Sequence, residues 1–211
     1  MSEHNTSGVK RAVVFDFGGV LVRTMDYTPR HAWDDRLGLP RGSVERIVHG
    51  SDAWREAQLG RLTPEQYWAQ VAAELGLDAP LLAQFRRDYF SRDQLDADLV
   101  ALIEALRTSG HAVGLLSNDT LDLRERLRAL GIAALFDPLL ISARLGAMKP
   151  DPAAYRALLA ALGRPPDEVI FVDDLPANVA GAQALGIHAV QYTAGMDLRA
   201  ALAPLLTGGA H

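Results

Sequence analysis

Cysteine is absent from the 211 residues, which excludes disulfides, thiolate zinc sites and a cysteine nucleophile. No apolar run approaches the roughly 20 residues needed to cross a bilayer. Residues 1–10 are polar and hold no apolar signal core, so a cytoplasmic protein with no membrane partner is expected. No block of basic residues occurs and the formal net charge is −5, so no nucleic-acid partner is expected either. Lysine is scarce: Lys10 and Lys149 are the only two, and every other basic residue is arginine. Coding bias accounts for the trend. In such a chain, however, an internal lysine can mark a place where a compact ammonium serves and a wide guanidinium fork does not.

What is present is the balance of an ordinary globular chain, 49% hydrophobic and 22% charged, which excludes disordered and collagen-like proteins. The length suits one domain of average size with an insertion rather than two large domains. Arg11 to Asp16 is a short, continuous apolar run that ends in an acid and is broken by Gly18-Gly19. Continuous rather than alternating apolarity predicts a strand buried on both faces, as in a parallel sheet covered by helices. His111 to Leu116, Pro138 to Ile141, Val169 to Val172 and His188 to Gln191 repeat the pattern. Helical patterns lie between them at Asp98 to Thr108, Leu121 to Leu130, Pro152 to Leu162 and Pro176 to Leu185. Each stops near a glycine (Gly110, Gly131, Gly163, Gly186), the expected C-terminal signal. Strand and helix alternating at this spacing predict an α/β fold, a Rossmann-like doubly wound parallel sheet.

Residues 23–92 break the alternation. They read as helices alone, at Arg30 to Leu37, Ser43 to His49, Pro64 to Leu75 and Pro80 to Phe90, too long a stretch for a loop between two core strands. An inserted all-helical subdomain is expected there, with residues 1–22 and 93–211 forming the core. The insert holds Trp33, Trp54 and Trp68, all the tryptophans of the chain. Packing inside a small bundle is the first expectation for them, a lid over a pocket the second.

Ligands of open parallel sheets bind beyond the carboxyl ends of the strands. Asp16 and Gly18 follow the first strand, Ser117, Asn118 and Asp119 the second, Lys149 the third, and Asp173 and Asp174 the fourth. Each of these alone reads as a turn or a helix cap. Together they bring three carboxylates besides Asp119, a hydroxyl, an amide and an ammonium to one edge. Asp16, Asp173 and Asp174 repel one another and need cations to stay ionised, and Mg²⁺ suits oxygen ligands that leave room for water and phosphate. Ser117 and the amides of the next helix start can hold anionic oxygens. An anion site with a metal and a free carboxylate predicts phosphoryl transfer through an aspartyl phosphate.

The chain resembles the haloacid dehalogenase superfamily, in the branch with a helical cap inserted after the first core strand. The four motifs that carry the resemblance are Val13-Val-Phe-Asp16-Phe-Gly-Gly-Val-Leu21, Leu115-Leu-Ser117-Asn118, Met148-Lys149-Pro-Asp151 and Phe171-Val-Asp173-Asp174-Leu-Pro-Ala-Asn178, in order from Val13 to about Gln191. The resemblance implies that Asp16 is the nucleophile, and that Lys149 pairs with it and with the phosphate. It implies Mg²⁺ held by the Asp16 and Asp174 carboxylates and the Gly18 carbonyl, with Asp173 in or near that shell. Ser117 and Asn118 would contact the phosphoryl oxygens, and Asn178 would orient the loop of the acidic pair.

One position departs from the resemblance. Phosphatases of the superfamily usually carry a second aspartate two residues after the nucleophile as general acid and base, and here Gly18 stands there. General acid–base help is typically worth about 10²- to 10⁴-fold; His31 or His49 of the insert, or water, are the candidate substitutes. A Mg²⁺-dependent phosphatase of small phosphorylated metabolites is expected. Two alternatives are a dehalogenase and a non-catalytic binding protein. The dehalogenase branch resembles Asp-x-Tyr-Gly-Thr, which Phe17-Gly18-Gly19-Val20 does not match.

Overall fold

The computed structural model describes residues 10–207. The first apolar run forms β1 (Ala12–Phe15), the later ones β4 (Ala112–Ser117), β5 (Leu139–Ile141), β6 (Val169–Asp173) and β7 (His188–Gln191). They pair in the order β5-β4-β1-β6-β7, every pair parallel, so β1 is central and Asp16 emerges mid-sheet. Side chains alternate across a strand, and both faces of β1 are buried. Val13 and Phe15 pack with Val113, Leu115, Ile170 and Val172 in one cluster. Ala12 and Val14 join Leu116, Val169 and Phe171 in another. Apolar residues on both faces explain why the strand reads as a continuous run.

The intervening helices are α6 (Ala97–Thr108), α7 (Leu123–Ala129), α9 (Pro152–Leu162) and α10 (Pro176–Gln183). Leu99, Leu102, Ile103 and Leu106 of α6 and Leu123 and Leu127 of α7 cover one face. Tyr155 and Leu158 of α9 and Ala182 of α10 cover the other. All four glycines read as stops have positive φ. A short helix, α8 (Ser142–Leu145), and a C-terminal one, α11 (Leu198–Leu206), are additional to the expected set. Leu198 and Leu202 of α11 complete the first face. Pro204 inside α11 masks the helical signal, because proline normally argues against a helix interior.

Between β1 and α6 the chain leaves the sheet through β2 (Val22–Thr24) and returns through β3 (Asp93–Leu95). The two form an antiparallel pair with Val22 opposite Leu95 and Thr24 opposite Asp93. Between them lie five helices rather than the four expected: α1 (Thr28–Arg36), α2 (Ser43–Gly50), α3 (Asp52–Gln58), α4 (Pro64–Leu75) and α5 (Ala79–Phe90). The unexpected α3 is seven residues long, too short for its periodicity to stand out. A reciprocal capping box between Thr63 and Gln66 starts α4, satisfying two amides that would otherwise lack partners. These helices bury a cluster of their own, including Trp33, Val48, Tyr67, Trp68, Phe85 and Tyr89. Arg30, 3% exposed, ties α1 to α2, α5 and β3. It pairs with Glu45, lies 2.9 Å from Asp93 Oδ1, donates to the Tyr89 carbonyl at 3.1 Å and sits 4.0 Å over the Tyr89 ring.

Candidate active site

Loops leaving the carboxyl ends of β1, β4 and β6, with the loop that follows α8, meet at one edge of the sheet. The Asp16 amide still donates to the Val172 carbonyl at 2.9 Å, so its backbone belongs to the sheet while its side chain leaves it. Asp16 Oδ1 takes the Phe17 amide at 2.7 Å and lies 3.0 Å from Lys149 Nζ. Both contacts fall on one oxygen, and Oδ2 carries neither. Burial, aided by the Asp173 charge and opposed by the Lys149 ammonium, leaves the Asp16 carboxyl raised to about 7.

The Lys149 side chain is fully buried, and its Nζ donates to Asp173 Oδ2 at 2.6 Å. Asp173, equally buried, is saturated by its neighbours. Its Oδ1 accepts from the Leu175 amide at 2.9 Å, and Asn178 Nδ2 bridges both oxygens at 3.0 and 3.1 Å. The Tyr155 hydroxyl in turn donates to the Asn178 carbonyl at 2.7 Å. Asn118 Nδ2 donates to the Lys149 carbonyl at 2.7 Å, and the Lys149 amide donates to Asn118 Oδ1 at 2.8 Å. The lysine is therefore clamped at its backbone by β4's loop and at its head by β6's loop. A single long side chain with no exposed surface can hold a fixed position only under such restraint.

One oxygen from each of Asp16, Asp173 and Asp174 lies within 4.8 Å of the others. One buried ammonium faces the three carboxylates. Burial, and then the Asp173 charge, hold the Asp174 carboxyl above its usual range. This surplus of negative charge fits a divalent cation. Because Asp173 is committed to Lys149 and Asn178, the oxygens open to such an ion are those of Asp174 and Asp16 Oδ2.

Gly19 makes that placement of Asp174 possible. Its φ is +78°, and a Cβ there would lie 2.2 Å from Asp174 Oδ2. Gly18 is the opposite case. Its φ lies outside the left-handed region, and a Cβ would meet nothing within 4 Å.

A family profile described as haloacid dehalogenase-like hydrolase matches residues 10–186. The chain belongs to that family. A phosphatase of Mycobacterium tuberculosis is 34% identical over 189 residues, covering 84% of this chain and 85% of that one. A phosphoglycolate phosphatase of Rhodospirillum rubrum is 30% identical over 197 residues, 88% and 80% of the two chains. The structure of a predicted hydrolase of this family from Porphyromonas gingivalis superposes with a TM-score of 0.75 at 26% identity, covering 94% of this chain and 98% of that one.

Every residue that the family resemblance singles out lies at this edge. Both ends of the Asn118 side-chain amide bind the Lys149 backbone. Asp173 lies beside the expected metal shell, an oxygen within 4.8 Å of Asp16 and Asp174, while its carboxylate also holds Lys149 and Asn178. Three further residues escaped sequence reasoning. Gly19 was signalled only by the Gly18-Gly19 doublet. Gln58 of α3 donates to the Asn118 carbonyl at 2.8 Å. Gly60 abuts the backbone of α8 so closely that a Cβ would lie 2.1 Å from the Ala143 oxygen. Gln58 thus fastens the inserted helices to the loop beyond Ser117, which is 2% exposed, and Gly60 lets them approach α8. His31 stacks on exposed Tyr27, 6.3 Å between centroids. His49 instead lines a cavity with Trp54 and Thr120. No described helix is long and apolar enough to cross a membrane.

Proposed function

We propose that this hydrolase is a Mg²⁺-dependent phosphatase of small phosphorylated metabolites, acting through an aspartyl phosphate on Asp16. The observation that carries the reading is Asp16 itself, buried at the central strand end, with Oδ1 held by Lys149 and Phe17 and Oδ2 uncommitted. Oδ2 attacks the phosphorus and the ester oxygen leaves, taking a proton from water. Water then cleaves the acyl phosphate, releasing phosphate and restoring Asp16. Lys149 opposes the rise that burial imposes on the Asp16 carboxyl and places positive charge beside the transferring group. Ser117 supplies a hydroxyl to the phosphoryl oxygens; Asn118, its side chain spent on the lysine loop, has its backbone amide left for them. Asp173 and Asn178 are positioning residues that hold the Lys149 head.

Asp16, Asp174 and the Gly18 carbonyl would hold Mg²⁺. Bound there, it neutralises charge on the phosphoryl oxygens and counters their repulsion from the carboxylates. Helices from residues 23–92 act as a cap over a core of 1–22 and 93–211, held in register by Gln58 and Gly60. The dehalogenase alternative, which needs no metal, leaves the surplus of carboxylates without a use.

Asp16→Asn keeps the shape and removes the nucleophile, so turnover of phosphate esters should vanish with little change in thermal stability. EDTA should abolish wild-type turnover and Mg²⁺ restore it, with Asp174→Ala raising the Mg²⁺ requirement steeply. More than a few per cent of wild-type rate in Asp16→Asn would refute the covalent route. Full turnover of phosphate esters in excess EDTA would refute the Mg²⁺ requirement.

A further inference from the structure

A cavity of about 170 Å³ lies where α2–α5 meet the loop after β4 and the start of α7. Its insert side is built from Trp54, Tyr67, Trp68 and Phe90, its core side from Thr120 and Arg126. Tyr67 stands 5.4 Å from Trp54 and 5.0 Å from Trp68, centroid to centroid, and Trp68 6.0 Å from Phe90. The chain links the cavity's core side to the phosphoryl edge. Thr120 is three residues beyond Ser117, and the Arg126 guanidinium lies 5.9 Å from the ring of Phe17, the residue after Asp16.

The polar groups in this wall are mostly spent on one another. The Tyr67 hydroxyl donates to the Val48 carbonyl, and Thr120 bonds Asp122. Arg126 pairs with Asp119 and Asp122, and His49 Nδ1 faces the Tyr89 hydroxyl at 3.1 Å and Glu45 at 3.4 Å. Arg126 Nε makes no hydrogen bond and faces Asp122 Oδ1 at 3.9 Å, and exposed Arg86 also lines the cavity. A sugar brings many hydroxyls, each needing a partner once out of water, and four aromatic rings make up the insert side of this wall. A flat ring bearing an oxygen suits it: ring faces meet ring edges and faces, and the guanidinium of Arg86, 4.6 Å over the Trp68 ring, stands beside them for the oxygen. Size points the same way, since an apolar cavity of about 150 Å³ takes benzene. The space thus matches one ring.

Gly18 supplies an independent argument. With no carboxylic acid two residues after Asp16, the leaving oxygen departs without a proton from that side chain. A phenol has a pKa near 10; an alkoxide is closer to the roughly 16 of water. Only the former leaves readily unaided.

We propose that the cavity receives the leaving group and that the substrate is an aryl phosphomonoester, a small phosphorylated phenol with one aromatic ring. This rests on the phosphatase reading above, and the test separates the two. Wild-type protein with Mg²⁺ is assayed on phenyl phosphate, a hexose 6-phosphate and acetyl phosphate, the last too small to fill the cavity. Phenyl phosphate should exceed the hexose ester in kcat/KM by about a hundredfold or more, the scale of the missing acid. Leaving-group chemistry alone could produce that preference, so the cavity is tested separately. Trp54→Leu and Trp68→Ala should each lower the ratio of phenyl to acetyl phosphate kcat/KM by about tenfold, mostly through KM. Trp54 packs at the edge of its cluster, which keeps one variant foldable. Phenylphosphonate, which cannot be hydrolysed, should quench tryptophan fluorescence of the wild type at concentrations where methylphosphonate does not. An unchanged ratio in Trp54→Leu, no quenching, or a hexose ester matching phenyl phosphate overturns the proposal. Failure to turn over even acetyl phosphate overturns the phosphatase reading instead, and the quenching result then decides the aromatic site.

Discussion

Replacing Gly18 with aspartate puts a carboxylic acid two residues after the proposed nucleophile, where this chain has none. Glycine at a loop position often signals a left-handed backbone, an obstacle to any side chain. It is not present. Gly18 has a φ outside that region and a Cβ would meet nothing within 4 Å, so the steric cost is close to nil. Losing glycine's freedom in the unfolded chain contributes about 0.4–1 kcal/mol of stability. Against this stands a fourth carboxylate near Asp16, Asp173 and Asp174, whose mutual repulsion favours the protonated form of the newcomer. A protonated acid is what leaving-group departure requires. If it reaches the ester oxygen, acid catalysis is worth about 10²- to 10⁴-fold, or roughly 3–5 kcal/mol of barrier. The gain should fall on poor leaving groups and vanish for good ones. The assay is kcat/KM with saturating Mg²⁺ over phosphate esters of graded leaving-group pKa. Wild type should show a steep fall with rising pKa, and Gly18→Asp a shallower one that crosses above it for alkyl esters. A flat wild-type series would mean that another group already serves as the acid, His49 of the cavity wall being one candidate. A folded, Mg²⁺-responsive Gly18→Asp variant with the wild-type slope would show that the position does not address the leaving oxygen.

Gly19→Ala should behave in the opposite way to Gly18→Asp. Its Cβ would fall 2.2 Å from Asp174 Oδ2, and a side-chain carboxylate can swing away at little cost to folding, so the fold survives while Mg²⁺ activation weakens by about 10- to 100-fold; an unchanged Mg²⁺ titration would contradict the placement of Asp174. Lys149→Met leaves Asp16 and Asp173 buried without their ammonium, a loss of about 3–5 kcal/mol measurable by urea unfolding. Asp16 already sits high, at about 7, and protonation relieves the burial, so that loss should be greater at pH 8 than at pH 5.5; equal losses would show that the carboxylates are not what the lysine holds. Burial pushes the Glu45 carboxyl up, but hydrogen bonds from His49, Arg30 and Tyr89 outweigh it and lower it from 4.5 to about 2. Its contribution to stability is therefore complete above about 4.5 and lost as pH falls toward 2. Glu45→Gln should flatten the fall in melting temperature over that window, and an unaltered slope would separate Glu45 from the Arg30 network.

The sheet was legible in the sequence because burial on both faces writes itself into short apolar runs, and glycines mark where helices stop. The catalytic edge was legible for a related reason: in a parallel sheet every strand ends on the same side, so Asp16, Ser117, Lys149 and Asp174 are brought together by topology alone. The β2–β3 pair was not readable, since strands of three residues have no period to detect. Neither was the choice of partners at the site. Whether Asp173 binds a metal or a lysine, and whether Asn118 turns to phosphate or to the Lys149 backbone, depends on angstrom-scale approach between loops far apart in the chain. The same holds for the two glycines, alike as letters. Gly19 is required because Asp174, 155 positions later, occupies the space of its missing Cβ, while Gly18 faces open room. The aromatic cavity is also a tertiary product. Trp54, Tyr67, Trp68 and Phe90 belong to three separate helices, and packing against residues from the core loop is what turns a bundle's aromatic residues into the wall of a pocket.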